Sequence, residues 1–125
     1  MFKFVATAAL LLGSLQALAQ NPAPVTWLTC QSSAPQGGLF VVGSNGTNAY
    51  RNYDGVVSPL VSRTQGNLVE NVQVSTSSVI WTLSSDPTAA TFVRTFDFPN
   101  RRLLEQTSNP VSPNQTYRSE CQVAR

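Results

Sequence analysis

The side chains best suited to recognition chemistry are Tyr50, Arg51 and Tyr53, in the run Tyr-Arg-Asn-Tyr, with Trp27 as a possible neighbour. Tyr, Trp and Arg combine large contact area with forked or pointed hydrogen-bonding groups, and these types dominate interaction hot spots. Set against that reading, one tyrosine could be a core residue and the other an ordinary surface residue beside the Asp54-Gly55 turn. Arg101-Arg102 forms a small basic tip, best read as a solvated turn.

Catalytic options are narrowed by what the chain lacks. It has no His, and its only Lys and Met are Lys3 and Met1. Histidine general acid–base work, Ser-His-Asp and Cys-His arrangements and histidine metal sites therefore have no residues to run on, and Schiff-base chemistry has none once Lys3 leaves with the leader read below. No G-x-S-x-G occurs. Paired carboxylates could hydrolyse glycosides without histidine. The acids are Asp54, Glu70, Asp86, Asp97, Glu105 and Glu120, none adjacent to another, so solvated charge is the simpler expectation. Asp97 stands out between Phe96 and Phe98, where an ion pair with Arg101 or Arg102 across a turn is expected. No Asp-x-Asp appears, so neither a metal nor a cofactor is expected. Asn45-Gly-Thr and Asn114-Gln-Thr fit the glycosylation sequon, as chance allows in a chain rich in Asn and Thr.

Residues 1–19 read as a secretory signal peptide. Lys3 supplies the positive start, residues 4–12 an apolar run, and Ala17-Leu18-Ala19 a cleavage site before Gln20. The expected mature unit is one domain, residues 20–125, secreted or periplasmic. No later apolar run approaches the ~20 residues of a membrane helix, so no membrane insertion is expected. Loss of Lys3 leaves seven Arg against six acids. That balance is too even to capture nucleic acid. The expected species is a monomer with an unidentified protein or glycan partner. Cys30 and Cys121 are the only cysteines, and in an oxidising compartment they are expected to bond.

The elements that position these residues read as strands. Residues 25–31, 39–42, 47–53, 68–74, 79–83, 91–98, 102–107 and 116–123 are β-rich, separated by Gly, Asn, Ser and Pro clusters. Residues 56–63 are apolar but broken by Pro59, which points to an edge strand or an irregular crossing. Asn45-Gly46 is the strongest hairpin signal. Period-two alternation puts Val79, Trp81 and Leu83 on one face, and Tyr117, Ser119, Cys121 and Val123 on one face. Glu70 falls on the face of Leu68, Val72 and Val74. Arg94 shares a face with Phe92, Phe96 and Phe98, and must snorkel, pair with an acid or stack on a ring. Thr26, Leu28 and Cys30 alternate with Val25, Trp27 and Thr29, so a core-facing Cys30 turns Trp27 outward or beneath a covering loop, partly buried.

No helical period follows the leader. The expected fold is all-β: an antiparallel meander barrel or sandwich of about seven to eight strands, stapled by a disulfide between first and last strands. In cysteine placement it resembles the periplasmic inhibitors of C-type lysozyme. The Ser-Gly-x-x-Tyr loop and Trp/Lys-Gly segment of that family are absent, so no residue roles carry over. The resulting expectation is an exported, non-catalytic module that binds a protein or glycan, with an inhibitor-like role as one form of that reading. A structural cell-envelope protein or a carboxylate-dependent hydrolase are the alternatives.

Overall fold

In a computed structural model, residues 24–35, 37–85, 91–109 and 112–124 are described. Residues 1–19, read above as a signal peptide, and Asp86 lie outside them. The chain is all-β, a single antiparallel sheet of ten strands curled into a half-barrel. The strands are β1 (Thr26–Gln31), β2 (Leu39–Ser44), β3 (Ala49–Tyr53), β4 (Val56–Leu60), β5 (Arg63–Gln65), β6 (Leu68–Val74), β7 (Ser78–Ser84), β8 (Thr91–Asp97), β9 (Arg102–Asn109) and β10 (Ser112–Ala124).

Their order is β4-β3-β2-β1-β10-β9-β8-β7-β6-β5, so each strand lies beside its sequence neighbour except at one seam. That seam brings β1 to β10 in register, with Cys30 directly opposite Cys121. The two form a disulfide at a Cα–Cα separation of 4.3 Å, tying the first strand to the last.

Two expectations are corrected. The strand count is ten, not seven to eight, and the sheet does not complete a barrel: β4 and β5 are its unpaired edges. The strand that left no trace in the pattern is β5, which reads Arg-Thr-Gln and is exposed throughout. A strand that buries nothing has no apolar period to betray it. The Pro59 segment is the edge strand β4. Its turn, Asp54-Gly55, has φ of 52° and 82°. That is the paired positive φ of a two-residue hairpin, reached cheaply by Asp and Gly. In such a hairpin Tyr53 and Val56 form the first hydrogen-bonded pair, and the pattern alternates along the ladder. Val57 and Pro59 then point their backbone groups at the free edge, where the missing N–H of proline costs no ladder bond.

The other turns are held by short polar side chains. Asn45 Oδ1 accepts from the backbone N–H of Thr47 (3.0 Å) and Asn48 (2.7 Å). Asp97 accepts from Asn100, at its backbone N–H (3.2 Å) and its Nδ2 (2.9 Å). Asp97 thus caps the β8–β9 turn in place of the arginine pairing expected for it. The nearby Arg102 instead meets Glu120 at 3.5 Å, both exposed.

The inner face carries the core. Leu28, Cys30, Val42, Val79, Phe96 and Leu103 are fully enclosed. Phe40 meets Trp81 and Phe96 edge to face, with centroids 6.2 and 6.1 Å apart. The apolar core fills one end of the curl. Toward the other end the same inward-facing rows turn aromatic and charged.

Candidate functional site

The register builds this second region row by row. Tyr117, Glu105, Arg94, Trp81 and Val72 stand opposite one another across β10, β9, β8, β7 and β6. The next row outward runs Gln115, Thr107, Phe92, Leu83, Glu70 and Arg63. Because neighbouring strands place directly opposed side chains on the same face, these residues line the concave surface together.

Arg94 is the centre. Its Nε donates to Glu105 Oε2 at 3.2 Å. Its guanidinium carbon lies 4.7 Å from the Phe40 centroid, 5.7 Å from Trp81 and 5.9 Å from Phe92. Pairing with an acid and stacking on rings therefore hold together. Glu105, only 5% exposed, also accepts the hydroxyl of buried Ser32 on Oε1. The Ser32 loop lies beside β10: Ser33 donates its N–H to Ser119 Oγ (3.0 Å) and its hydroxyl to the Arg118 carbonyl (3.0 Å). Beneath that loop is a cavity of about 260 Å³. Phe92, Arg94, Glu105, Thr107, Gln115 and Tyr117 line it, with Pro35 above. The Tyr117 hydroxyl donates to Gln115 Oε1.

A second charged group flanks Trp81. The indole Nε1–H donates to Glu70 Oε2 (3.0 Å), and Arg63 Nε donates to Glu70 Oε1 (2.7 Å). Burial pushes the Glu70 carboxyl up. The hydrogen bonds from Arg63 and Trp81, with the charges of Arg63 and Arg51, outweigh burial and hold it below its ordinary value of 4.5. Arg51 lies over the same indole, 5.3 Å from its centroid, and 5.0 Å from the Tyr53 ring.

The four residues singled out in the sequence do not form one surface. Arg51 and Tyr53 alternate with Tyr50 along β3, so Arg51 and Tyr53 face the concave side and Tyr50 the convex side. Trp27 joins Tyr50 there. Both stand opposite Gly43, on either side of it. A Cβ on Gly43 would come within 2.8 Å of the Trp27 ring and 2.7 Å of Val25, so the half-buried indole lies directly over the glycine.

Phe40, Glu70, Trp81, Phe92, Glu105 and Tyr117 belong to the concave site although their types and spacing did not single them out as a group. One signal was available. Glu70 and Arg94 each interrupt an apolar stripe and Glu105 follows Leu103 on one face of β9, and three charges on inward faces must find one another or water. Among the described residues, no three His, Cys, Asp or Glu side chains gather as metal ligands. No helix there is long and apolar enough to cross a membrane. No protein-family model, no curated protein and no solved structure matches this chain.

Proposed function

We propose that the protein is a non-catalytic binding module of an oxidising compartment, secreted or periplasmic, that recognises a protein or glycan partner through its concave face. The observation that carries this reading is the arginine–aromatic array of Arg51, Tyr53, Trp81, Arg94 and Phe92, opening onto a cavity beside it. Tyr53 is 63% exposed and Phe92 38%. Rings left open to solvent beside fixed guanidinium groups suit recognition.

The two inward carboxylates favour binding over hydrolysis. Both oxygens of Glu70 and both of Glu105 already accept hydrogen bonds. A glycosidase needs one carboxyl held protonated as general acid, and the lowered Glu70 is shifted in the opposite direction. The disulfide supports the compartment.

The test is retention on immobilised cell-wall glycan and on a panel of lysozymes, with variants that separate the two faces. Tyr53→Ala with Phe92→Ala is expected to abolish saturable retention, and Tyr50→Ala to leave it intact. Loss with Tyr50→Ala alone would move the site to the convex face. Retention by every variant would remove the proposed site.

A structural envelope role is the second reading, favoured by the apolar side chains at the unpaired edge. Val56, Val57 and Val61 are more than half exposed there. An open apolar edge pairs readily with another strand, so this reading predicts concentration-dependent self-association in sedimentation.

A further inference from the structure

We infer that the concave face selects a carboxylate-bearing saccharide, with one sugar ring in the cavity and the carboxylate on Arg51; this rests on the binding-module reading above. Three arginines and two glutamates share the inward face at this end of the sheet. Arg94 is paired with Glu105, and Arg63 with Glu70. Among the described residues Arg51 is in no ion pair, and its closest described partners are two rings. The Glu70 oxygens nearby are already taken by Arg63 and Trp81. A half-buried guanidinium stacked on an indole, its fork uncommitted, is built to take a carboxylate through two parallel hydrogen bonds.

The cavity settles the rest of the ligand. At about 260 Å³ it falls below the roughly 300–1,000 Å³ of drug-sized sites, so it admits a single ring. Its walls are the rings of Phe92 and Tyr117, and its polar groups are the side chains of Thr107, Gln115, Arg94 and Glu105, the last with both oxygens taken by Ser32 and Arg94. A peptide bound by a β-domain usually adds to an open strand edge. Here β8, β9 and β10 are hydrogen-bonded to one another through the lining residues. Apart from the backbone of Gly37 at its rim, the cavity presents side chains: flat rings, an amide, a hydroxyl and a guanidinium, which suit a sugar ring rather than a peptide backbone. The guanidinium carbons of Arg94 and Arg51 lie 5.7 and 5.3 Å from the same Trp81 centroid. One indole therefore joins the cavity to the carboxylate site, a span suited to adjacent residues of an acidic oligosaccharide.

The test uses the oxidised protein and three probes: trigalacturonic acid, its neutral counterpart galactotriose, and triglutamate. The chain has two tryptophans. The indole N–H resonance of Trp81 reports the concave face, and that of Trp27 serves as the internal control. Trigalacturonic acid is expected to shift Trp81 saturably and leave Trp27 unmoved. Galactotriose should bind at least about tenfold more weakly, the loss expected for one charge-assisted contact. Arg51→Gln should cost about the same factor, and Arg51→Lys most of it, because lysine keeps the charge and loses the fork. Arg118→Gln removes the same charge from the convex face and should change nothing; its resonances, with those of the Arg51 variants, also confirm folding. Equal binding of the acidic and neutral sugars, or an unaffected Arg51→Gln, overturns the carboxylate assignment. Triglutamate binding as tightly as trigalacturonic acid overturns the saccharide assignment and leaves the module standing. Silence from all three probes, alongside saturable retention in the face-separating experiment, also overturns this inference alone. Silence in both removes both.

Discussion

Replacing Glu105 by Gln keeps its shape and an acceptor for Ser32 but strips away the charge that faces Arg94. The Arg94 side chain is 18% exposed and that of Glu105 7%. Removing one partner of a fully buried pair costs about 3–5 kcal/mol, because the other charge is left uncompensated. Arg94 keeps some solvent and its stacking on Phe40, Trp81 and Phe92, which offsets about a third of that; the expected loss is about 2–3 kcal/mol. With a urea dependence of about 1.5 kcal/mol per molar for a domain of this size, the unfolding midpoint should fall by about 1–2 M. Arg94→Met with Glu105→Gln removes both charges together and should restore stability to within about 1 kcal/mol of the parent. Urea titration of the three proteins, followed by near-ultraviolet circular dichroism of Trp81, checks the set. A single-variant loss under about 1 kcal/mol would mean that Arg94 already reaches water, and would refute the buried-pair argument. A double variant as damaged as the single would show that the hydrogen bonds, not the charges, hold this end together. If stability returns in the double variant while ligand binding does not, the pair is kept for recognition.

Glu70 makes stability pH-dependent. Its carboxyl is lowered in the fold, so its contribution is present above the ordinary value of 4.5 and is lost as pH falls through the lower folded value. The parent should therefore lose stability in acid more steeply than Glu70→Gln, as read by thermal unfolding from neutral pH down to acid well below 4.5; parallel curves across that range would refute it. Reducing Cys30–Cys121, which closes a sequence separation of 91 residues, should cost about 4–5 kcal/mol by the chain-entropy estimate. Denaturation with and without reductant measures it, and a cost under about 1 kcal/mol would mean that the β1–β10 ladder needs no staple. Gly43→Ala drives a methyl into Trp27 and Val25 and should cost about 1–3 kcal/mol as overpacking. It should shift Trp27 fluorescence and leave concave-face binding unchanged; lost binding would show that the two faces are coupled.

The sequence by itself determined the class of the fold, most of its strands and its staple. Alternation at period two is a local property, so Val79, Trp81 and Leu83, or Tyr117, Ser119, Cys121 and Val123, announce their shared faces without any partner. Two cysteines allow only one intramolecular pair. Absent histidine is likewise legible at a glance, and so is the oddity of Arg94 among phenylalanines. Alternation even implied that Tyr50 and Arg51 could not share a face, although adjacency in the chain made them look like one site. The tertiary structure alone decided which rows line up. Pairing between strands adjacent in sequence placed Arg94 beside both Trp81 and Glu105 and Glu70 under Trp81, but only the curl of the sheet brought Arg51, Phe40 and Ser32, distant in sequence, onto Trp81, Arg94 and Glu105. The sheet's curl also left the outer edges of β4 and β5 open. These are long-range choices, made by the burial of Phe96, Leu103, Val42 and Leu28 against one another. No local window contains that information, because the packing of the whole inward face selects one register from the several that each strand would accept.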